Sequence, residues 1–247
     1  VNGDDSADLL GTLTFTTLAE TNSPVGTYAV TPGGLGSTNY AVAFADGVLT
    51  VTPHALLVGA DNQTKVYGAD LPALTGTVSG VHNGDAISAT FTTIATAASN
   101  VGSYAITAVI NDPNSLLTNY TVTQVEGVLA ITPAPLLVTA ENAGRVYGAG
   151  NPVFTAGYAG LVNGDTAAGL DTPVTLGTVA DAASAVGTYP ITAGAAADAN
   201  YTVGFGEGVL TNTPAPLLVT AENAARAYGQ TNPLFSASIT GWVNGDD

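Results

Sequence analysis

The stretch Thr132-Pro133-Ala134-Pro135-Leu136-Leu137-Val138-Thr139-Ala140-Glu141-Asn142 recurs residue for residue from Thr213 to Asn223 and, more loosely, from Thr52 to Asn62. Proline removes a backbone donor and forces the residue before it to be extended, so Thr-Pro-x-Pro reads as a short, stiff connector where one unit hands over to the next. The Leu-Leu-Val-Thr-Ala that follows reads as a strand. Other landmarks keep the same frame. Val1-Asn2-Gly3-Asp4, His82-Asn83-Gly84-Asp85, Val162-Asn163-Gly164-Asp165 and Val243-Asn244-Gly245-Asp246 return about every 80 residues. So do Tyr67-Gly68, Tyr147-Gly148 and Tyr228-Gly229, and Asn39-Tyr40, Asn119-Tyr120 and Asn200-Tyr201. A period of this length marks tandem domains or a solenoid, each unit being large enough for a small core.

Within a unit, Tyr-Gly followed by Pro72, Pro152 or Pro233 reads as a turn. A second strand, such as Phe154 to Tyr158, leads into Asn-Gly-Asp, whose Asn-Gly step favours the positive backbone angles of a tight turn. The residues from Thr166 to Leu170 could form one helical turn capped by Asp165. Then come a Thr- and Val-rich strand, a strand through Gly26-Thr27-Tyr28, Gly102-Ser103-Tyr104 or Gly187-Thr188-Tyr189, and a last strand from Asn-Tyr-x-Val to Gly-Val-Leu. The expected fold is mainly β: tandem β-rich domains, sandwich or β-grasp-like, with one short helical turn each, arranged as an elongated array. The expected division is the C-terminal part of a repeat at 1–52, complete repeats at 53–132 and 133–213, and the N-terminal part of a repeat at 214–247.

Loop lengths agree with this division. Gly3 to Gly26 and Gly164 to Gly187 each span 23 positions, whereas Gly84 to Gly102 spans 18. Tyr104 to Tyr120 covers 16 positions against 12 for Tyr28 to Tyr40 and for Tyr189 to Tyr201. These segments read as surface loops, because an insertion into a paired strand would turn its core face outward.

Composition narrows the function. Only 9% of the residues are charged, against about a quarter in ordinary globular proteins. Three cations against 19 acids leave a net charge of −16, which repels nucleic acid backbones and anionic lipid surfaces. There is no cysteine, hence no disulfide, thiolate metal site or thiol nucleophile. No run approaches the roughly 18 to 20 apolar residues that span a bilayer as a helix, so no membrane insertion is expected.

With Tyr-Gly-x-x-x-Pro, Asn-Gly-Asp, Gly-Thr-Tyr, Asn-Tyr-x-Val and Gly-x-Leu in this order, essentially the whole chain resembles the MBG domains of the YGX type, found in tandem in large bacterial surface proteins and adhesins. The resemblance implies an extracellular or cell-surface stalk of β-rich modules, with no catalytic residues and no agreed ligand site to carry over. Two departures stand out: Ala227 replaces the Val before Tyr228, and Asn212 interrupts the last strand where Val51 and Ile131 stand.

The three cations, Lys65, Arg145 and Arg226, share one repeat position, each with an acid four residues earlier, Asp61, Glu141 and Glu222. Four-residue spacing places side chains on one face of a strand or helix, so structural ion pairs near the unit boundary are expected. Tyr67, Tyr147 and Tyr228, with Tyr28, Tyr104, Tyr189, Tyr40, Tyr120 and Tyr201, are expected to belong to the repeat core, their hydroxyls reaching backbone partners. Trp242 replaces Val81 and Leu161 and reads as an apolar cap on the turn. Neither an EF-hand-like string, a Gly-x-Ser-x-Gly elbow nor a phosphate-binding glycine loop is present, and His54 and His82 do not recur. No catalytic residue, metal ligand or cofactor is therefore expected, calcium being the one ion the acidic surface leaves open.

The chain opens and closes on the same five residues, Val-Asn-Gly-Asp-Asp. Two arrangements are open to such partial end repeats: a piece of a longer array, or a subunit whose tail completes the head of the next by strand addition. The expected function is a structural stalk or fibre segment of a bacterial extracellular adhesin or biofilm matrix protein, and not an enzyme. Its expected partners are neighbouring repeats of the same or an identical chain. The alternative is a glycan- or mucin-binding module, favoured if Trp242 and neighbouring Tyr rings line an exposed groove.

Overall fold

The computed structural model describes residues 5–247; the first Asn-Gly-Asp turn, at Asn2 to Asp4, lies outside them. The described chain is nearly all β, as the alternation of apolar and polar residues dictates. The strands are β1 (Leu10–Thr16), β2 (Gly26–Gly36), β3 (Gly47–Val51), β4 (His54–Ala60), β5 (Gln63–Val66), β6 (Gly76–Ser79), β7 (Ser88–Thr92), β8 (Gly102–Asn111), β9 (Tyr120–Val125) and β10 (Gly127–Thr132). They continue with β11 (Ala134–Ala140), β12 (Ala143–Val146), β13 (Ala156–Ala159), β14 (Thr175–Gly177), β15 (Gly187–Gly194), β16 (Tyr201–Gly206), β17 (Gly208–Thr213), β18 (Leu218–Ala221) and β19 (Ala237–Thr240). The Thr-Pro step is a strand-to-strand link, since Pro133 alone separates β10 from β11.

The chain falls into two compact units that do not coincide with the sequence repeats. One holds the chain up to Thr64 with Leu71–Ala95 and Ser103–Ala130, and the other holds Lys65–Asp70, Thr96–Gly102 and everything from Ile131 onward. The first unit carries the antiparallel sheet β1-β2-β3 and the sheet β6-β4-β9. In the latter, β4 runs antiparallel to β6 and parallel to β9. Its core is Leu56, Val58, Ile87 and Tyr120, with Phe91, Ala108 and Ile110 packed against them.

The third repeat lies wholly in the second unit and shows the plan most clearly. One sheet has the order β13-β11-β16 and the other β12-β17-β15-β14. Strand β11 pairs in parallel with β16, and β12 in parallel with β17. Two continuous stretches, β11 into β12 and β16 into β17, thus run side by side and change sheets together. The change is crowded. A Cβ on Gly208 would lie 2.6 Å from the Ala140 carbonyl oxygen, so only glycine fits, and Asn142 Oδ1 accepts from the Val209 amide at 2.8 Å to bridge the gap in the ladder. Gly127 and Asn62 repeat both features in the second repeat, with Val128 donating to Asn62 Oδ1 at 2.8 Å.

Between the sheets Ala140, Ala180, Ile191 and Leu210 form the buried core, with Phe154, Leu176 and Tyr189 against it. Full burial of Ile191 or Leu210 contributes about 1.5–3 kcal/mol each. The fourth repeat contributes the antiparallel pair β18-β19. The helical turn expected after Asn-Gly-Asp is present in the third repeat as a single 3-10 turn, Ala167–Gly169, but its cap position is Thr166, with no side-chain bond. Asp165 is engaged elsewhere. The length changes of the second repeat fall in loops: Asp112 accepts from the amides of Leu116 and Leu117, at 3.0 and 2.8 Å, and orders the longer one. Those amides hold the Asp112 carboxyl below its usual range.

Candidate functional site

The Asn-Gly turns form as the sequence suggests, with φ of 55° at Asn163 and 81° at Gly164. The Asp165 amide donates to the Val162 carbonyl at 2.9 Å to close the turn. A buried tyrosine then pins it. The Tyr201 hydroxyl accepts from the Val162 amide at 3.0 Å and donates to Asp165 Oδ2 at 2.6 Å. In the second repeat Tyr120 does the same, accepting from His82 at 3.0 Å and donating to Asp85 Oδ2 at 2.7 Å. Burial first, and the bonded carboxylate second, push the Tyr201 hydroxyl up to about 12. Tyr120 is raised for the same reasons.

The other face of this turn receives the Tyr-Gly motif. Tyr67 is buried, donates to Asp165 Oδ2 at 3.1 Å and meets the Tyr201 ring edge-on at 5.5 Å. Gly68, at φ 80°, lies so close to Val162 that a Cβ would stand 2.4 Å from its Cγ2. Gly148 relates to Val243 in the same way, at 2.6 Å, and Asn244 Nδ2 adds a bond to the Ala182 carbonyl at 3.0 Å. Gly229 has the same backbone angle, 85°, but nothing within 4 Å, and Tyr228 is fully exposed.

The asparagine of Asn-Tyr completes the joint. Asn119 Oδ1 accepts from the Val25 amide at 2.9 Å, and Asn200 Oδ1 accepts from the Val101 amide, also at 2.9 Å. Each bond links the Val-Gly that opens one repeat's long strand to the next repeat's Asn-Tyr by sequence, and each lies within a single compact unit. Both asparagine side chains are thereby used structurally.

The cations do not meet the acids expected to pair with them. Lys65 and Arg145 are buried, and they donate to carbonyl oxygens: Lys65 Nζ to Ala69 at 2.9 Å and Ala97 at 2.8 Å, and Arg145 to Ala149 at 2.6 Å and to Asp181. Asp61 and Glu141 are exposed and accept from the hydroxyls of Thr75 and Thr155, at 2.7 and 2.6 Å. The same-face rule assumes one continuous strand, but Asp61 and Glu141 sit where β4 gives way to β5 and β11 to β12. Arg226 is exposed and reaches Asn232 Oδ1 at 2.8 Å and the Gln230 carbonyl at 3.1 Å; Glu222 is bonded through its amide to the Ser236 carbonyl. The cation therefore ties down the loop after Tyr-Gly. Burial lowers the Lys65 pKa, partly offset by Asp70.

Among the remaining tyrosines, Tyr28 donates to the Pro24 carbonyl at 2.7 Å and Tyr189 to that of Ala185 at 2.8 Å. Tyr104 and Tyr147 are half-buried, and Tyr40 is exposed. Trp242 is also exposed and shares a groove of about 230 Å³ with Tyr147, Leu217 and Val243. Among the described residues, no three His, Asp or Glu side chains cluster as metal ligands, and no helix is long and apolar enough to cross a membrane.

No curated protein matches the chain. The family described as MBG domain (YGX type) matches at residues 1–50, 56–130, 136–211 and 217–247, nearly the whole length, in four repeats. Repeats of this type occur in secreted surface proteins. With Tyr-Gly, Asn-Gly-Asp and Asn-Tyr forming one recurrent joint and the family's pattern returning four times, the chain belongs to the MBG domain family of the YGX type.

Proposed function

We propose that the chain is a non-catalytic stalk segment of a bacterial extracellular adhesin or matrix fibre, its repeats held in a restricted orientation by the Tyr-Gly joint. The observation that carries this reading is the shared carboxylate of Asp165, which takes both the Tyr67 and Tyr201 hydroxyls while Val162 fills the space over Gly68. The second joint, Gly148 on Val243, supports it. A flexible tether would need none of these contacts, and the Thr-Pro link leaves little slack between strands.

Small-angle scattering of arrays with increasing repeat number tests the reading. A stalk gives a maximum dimension that rises linearly with repeat number, and Asp165→Ala shortens and broadens the distance distribution. Coil-like scaling of the natural array would overturn it. Electron microscopy over a concentration series separates a stalk from head-to-tail polymerisation, which predicts filaments that lengthen with concentration.

A second reading, glycan binding, is favoured by Trp242 and Tyr147 lining one groove. Trp242→Ala would abolish binding to a mucin glycan array if this reading holds, and leave the stalk dimensions unchanged.

A further inference from the structure

His54 and His82 are the only histidines, 28 residues apart, and they converge: Nε2 to Nε2 is 2.9 Å. Their rings stand at 79° with centroids 4.1 Å apart. A head-on N–H···N bond between two imidazoles would hold the centroids about 5 Å apart, so the two rings are inclined to each other and do not point nose to nose. Neither histidine is needed by the fold. The equivalent positions are Ala134 and Val162 in the third repeat and Ala215 and Val243 in the fourth. Both rings are exposed and line a cleft of about 250 Å³ with Asn83, Asp85 and Asn119, all within the first compact unit.

From this geometry we infer that His54 and His82 form a two-imidazole site for a divalent first-row cation, of the Cu²⁺, Ni²⁺ or Zn²⁺ class. Two nitrogens at the usual distance of about 2.0–2.1 Å from one metal, with a right angle between them, lie about 2.9 Å apart. That bite suits the square-based coordination of Cu²⁺ and Ni²⁺ better than a tetrahedron. A proton can occupy only one of the two facing nitrogens usefully, whereas a cation takes both lone pairs. Asp85 is the one carboxylate lining the cleft, and the net charge of −16 attracts cations toward it. Calcium, which takes oxygen ligands, is not a match for this pair.

The test is a calorimetric titration of the whole chain with Cu²⁺, Ni²⁺ and Zn²⁺ near neutral pH, with Ca²⁺ as the contrast. The expected result is one saturable site with Cu²⁺ bound most tightly, and a Cu²⁺ resonance spectrum showing two equivalent imidazole nitrogens. His54→Ala and His82→Val install the residues of the third repeat and so preserve the fold, which circular dichroism checks. Each should weaken binding by more than the roughly tenfold that loss of an outer hydrogen-bond partner costs at a metal site. No saturable binding, or the same affinity in the double variant, would overturn the assignment.

Discussion

Arg145 and Asn212 occupy paired positions on the parallel strands β12 and β17, both buried, each with one polar atom lacking a partner among the described residues: the donor Nε of Arg145 and the acceptor Oδ1 of Asn212. The rest of each side chain is satisfied, Asn212 Nδ2 donating to the carbonyls of Ser184 and Ala185 at 2.7 and 2.9 Å. In the second repeat a lysine, Lys65, goes with Ile131 at the position of Asn212. Lysine has no Nε–H and isoleucine no amide, so the second repeat buries neither of these two atoms, and the asparagine that reads as an interruption of the strand faces an arginine only in the third repeat.

The two residues should therefore be coupled. Asn212→Ile alone is expected to cost about 1–3 kcal/mol, because it leaves buried polar groups unpaired. Adding Arg145→Lys restores the combination of the second repeat and should recover part of the loss. A double-mutant cycle from denaturant unfolding should give an interaction of about 0.5–3 kcal/mol; strict additivity would show that the two sites are independent.

Gly68→Ala and Gly229→Ala make a matched pair, since both glycines have φ near 80°. Each alanine carries the left-handed penalty of about 1–2 kcal/mol. Only Gly68→Ala also collides with Val162. It should be the more damaging of the two by thermal unfolding, and Val162→Ala should relieve only part of the excess, because the Val162 Cβ that remains lies 2.6 Å from the added Cβ.

Alkaline pH should loosen the joint. With its hydroxyl raised from 10 to about 12, Tyr201 contributes stability that is fully present below pH 10 and is lost as pH rises through about 12. Phenolate absorbance should show late-titrating tyrosines, Tyr120 and Tyr201 among them, and Asp165→Asn should bring Tyr201 alone down toward 10, leaving only the effect of burial. An unchanged titration in that variant would separate Asp165 from the shift.

Asn200→Ala removes the acceptor for the Val101 amide and should cost about 1 kcal/mol. Asn200→Asp keeps an oxygen acceptor and should cost less at neutral pH. Hydrogen exchange at the Val101 amide reads the bond directly: it should accelerate in the alanine variant and stay slow in the aspartate one.

The strands and the Asn-Gly turns were legible because they follow local rules, a period of two and a step that accepts positive φ. The Gly-Thr-Tyr tyrosines were also legible, since Tyr28 and Tyr189 close loops onto carbonyls only four residues back. The contacts that make the joint were not. Gly68 meets Val162, and Tyr67 meets Asp165, across almost a hundred positions of sequence, and nothing local to Tyr-Gly announces the valine that excludes a side chain there. The ion pairs failed for a related reason: spacing carries over only while a strand continues, and the strand ends at Asp61 and Glu141. His54 and His82, which do not recur from repeat to repeat, meet only because the fold brings β4 beside the Asn-Gly turn.

The paired change of sheet has a consequence for load. Tension along the chain would pull the start of β11 one way and the end of β17 the other. Because β11 runs parallel to β16 and β12 to β17, that pull slides parallel neighbours past one another, so their cross-strand bonds share the force and do not open one at a time. Resistance to stretching would then depend on how fast these ladders rupture and not on overall stability, so that under load the third repeat would behave as a mechanical clamp.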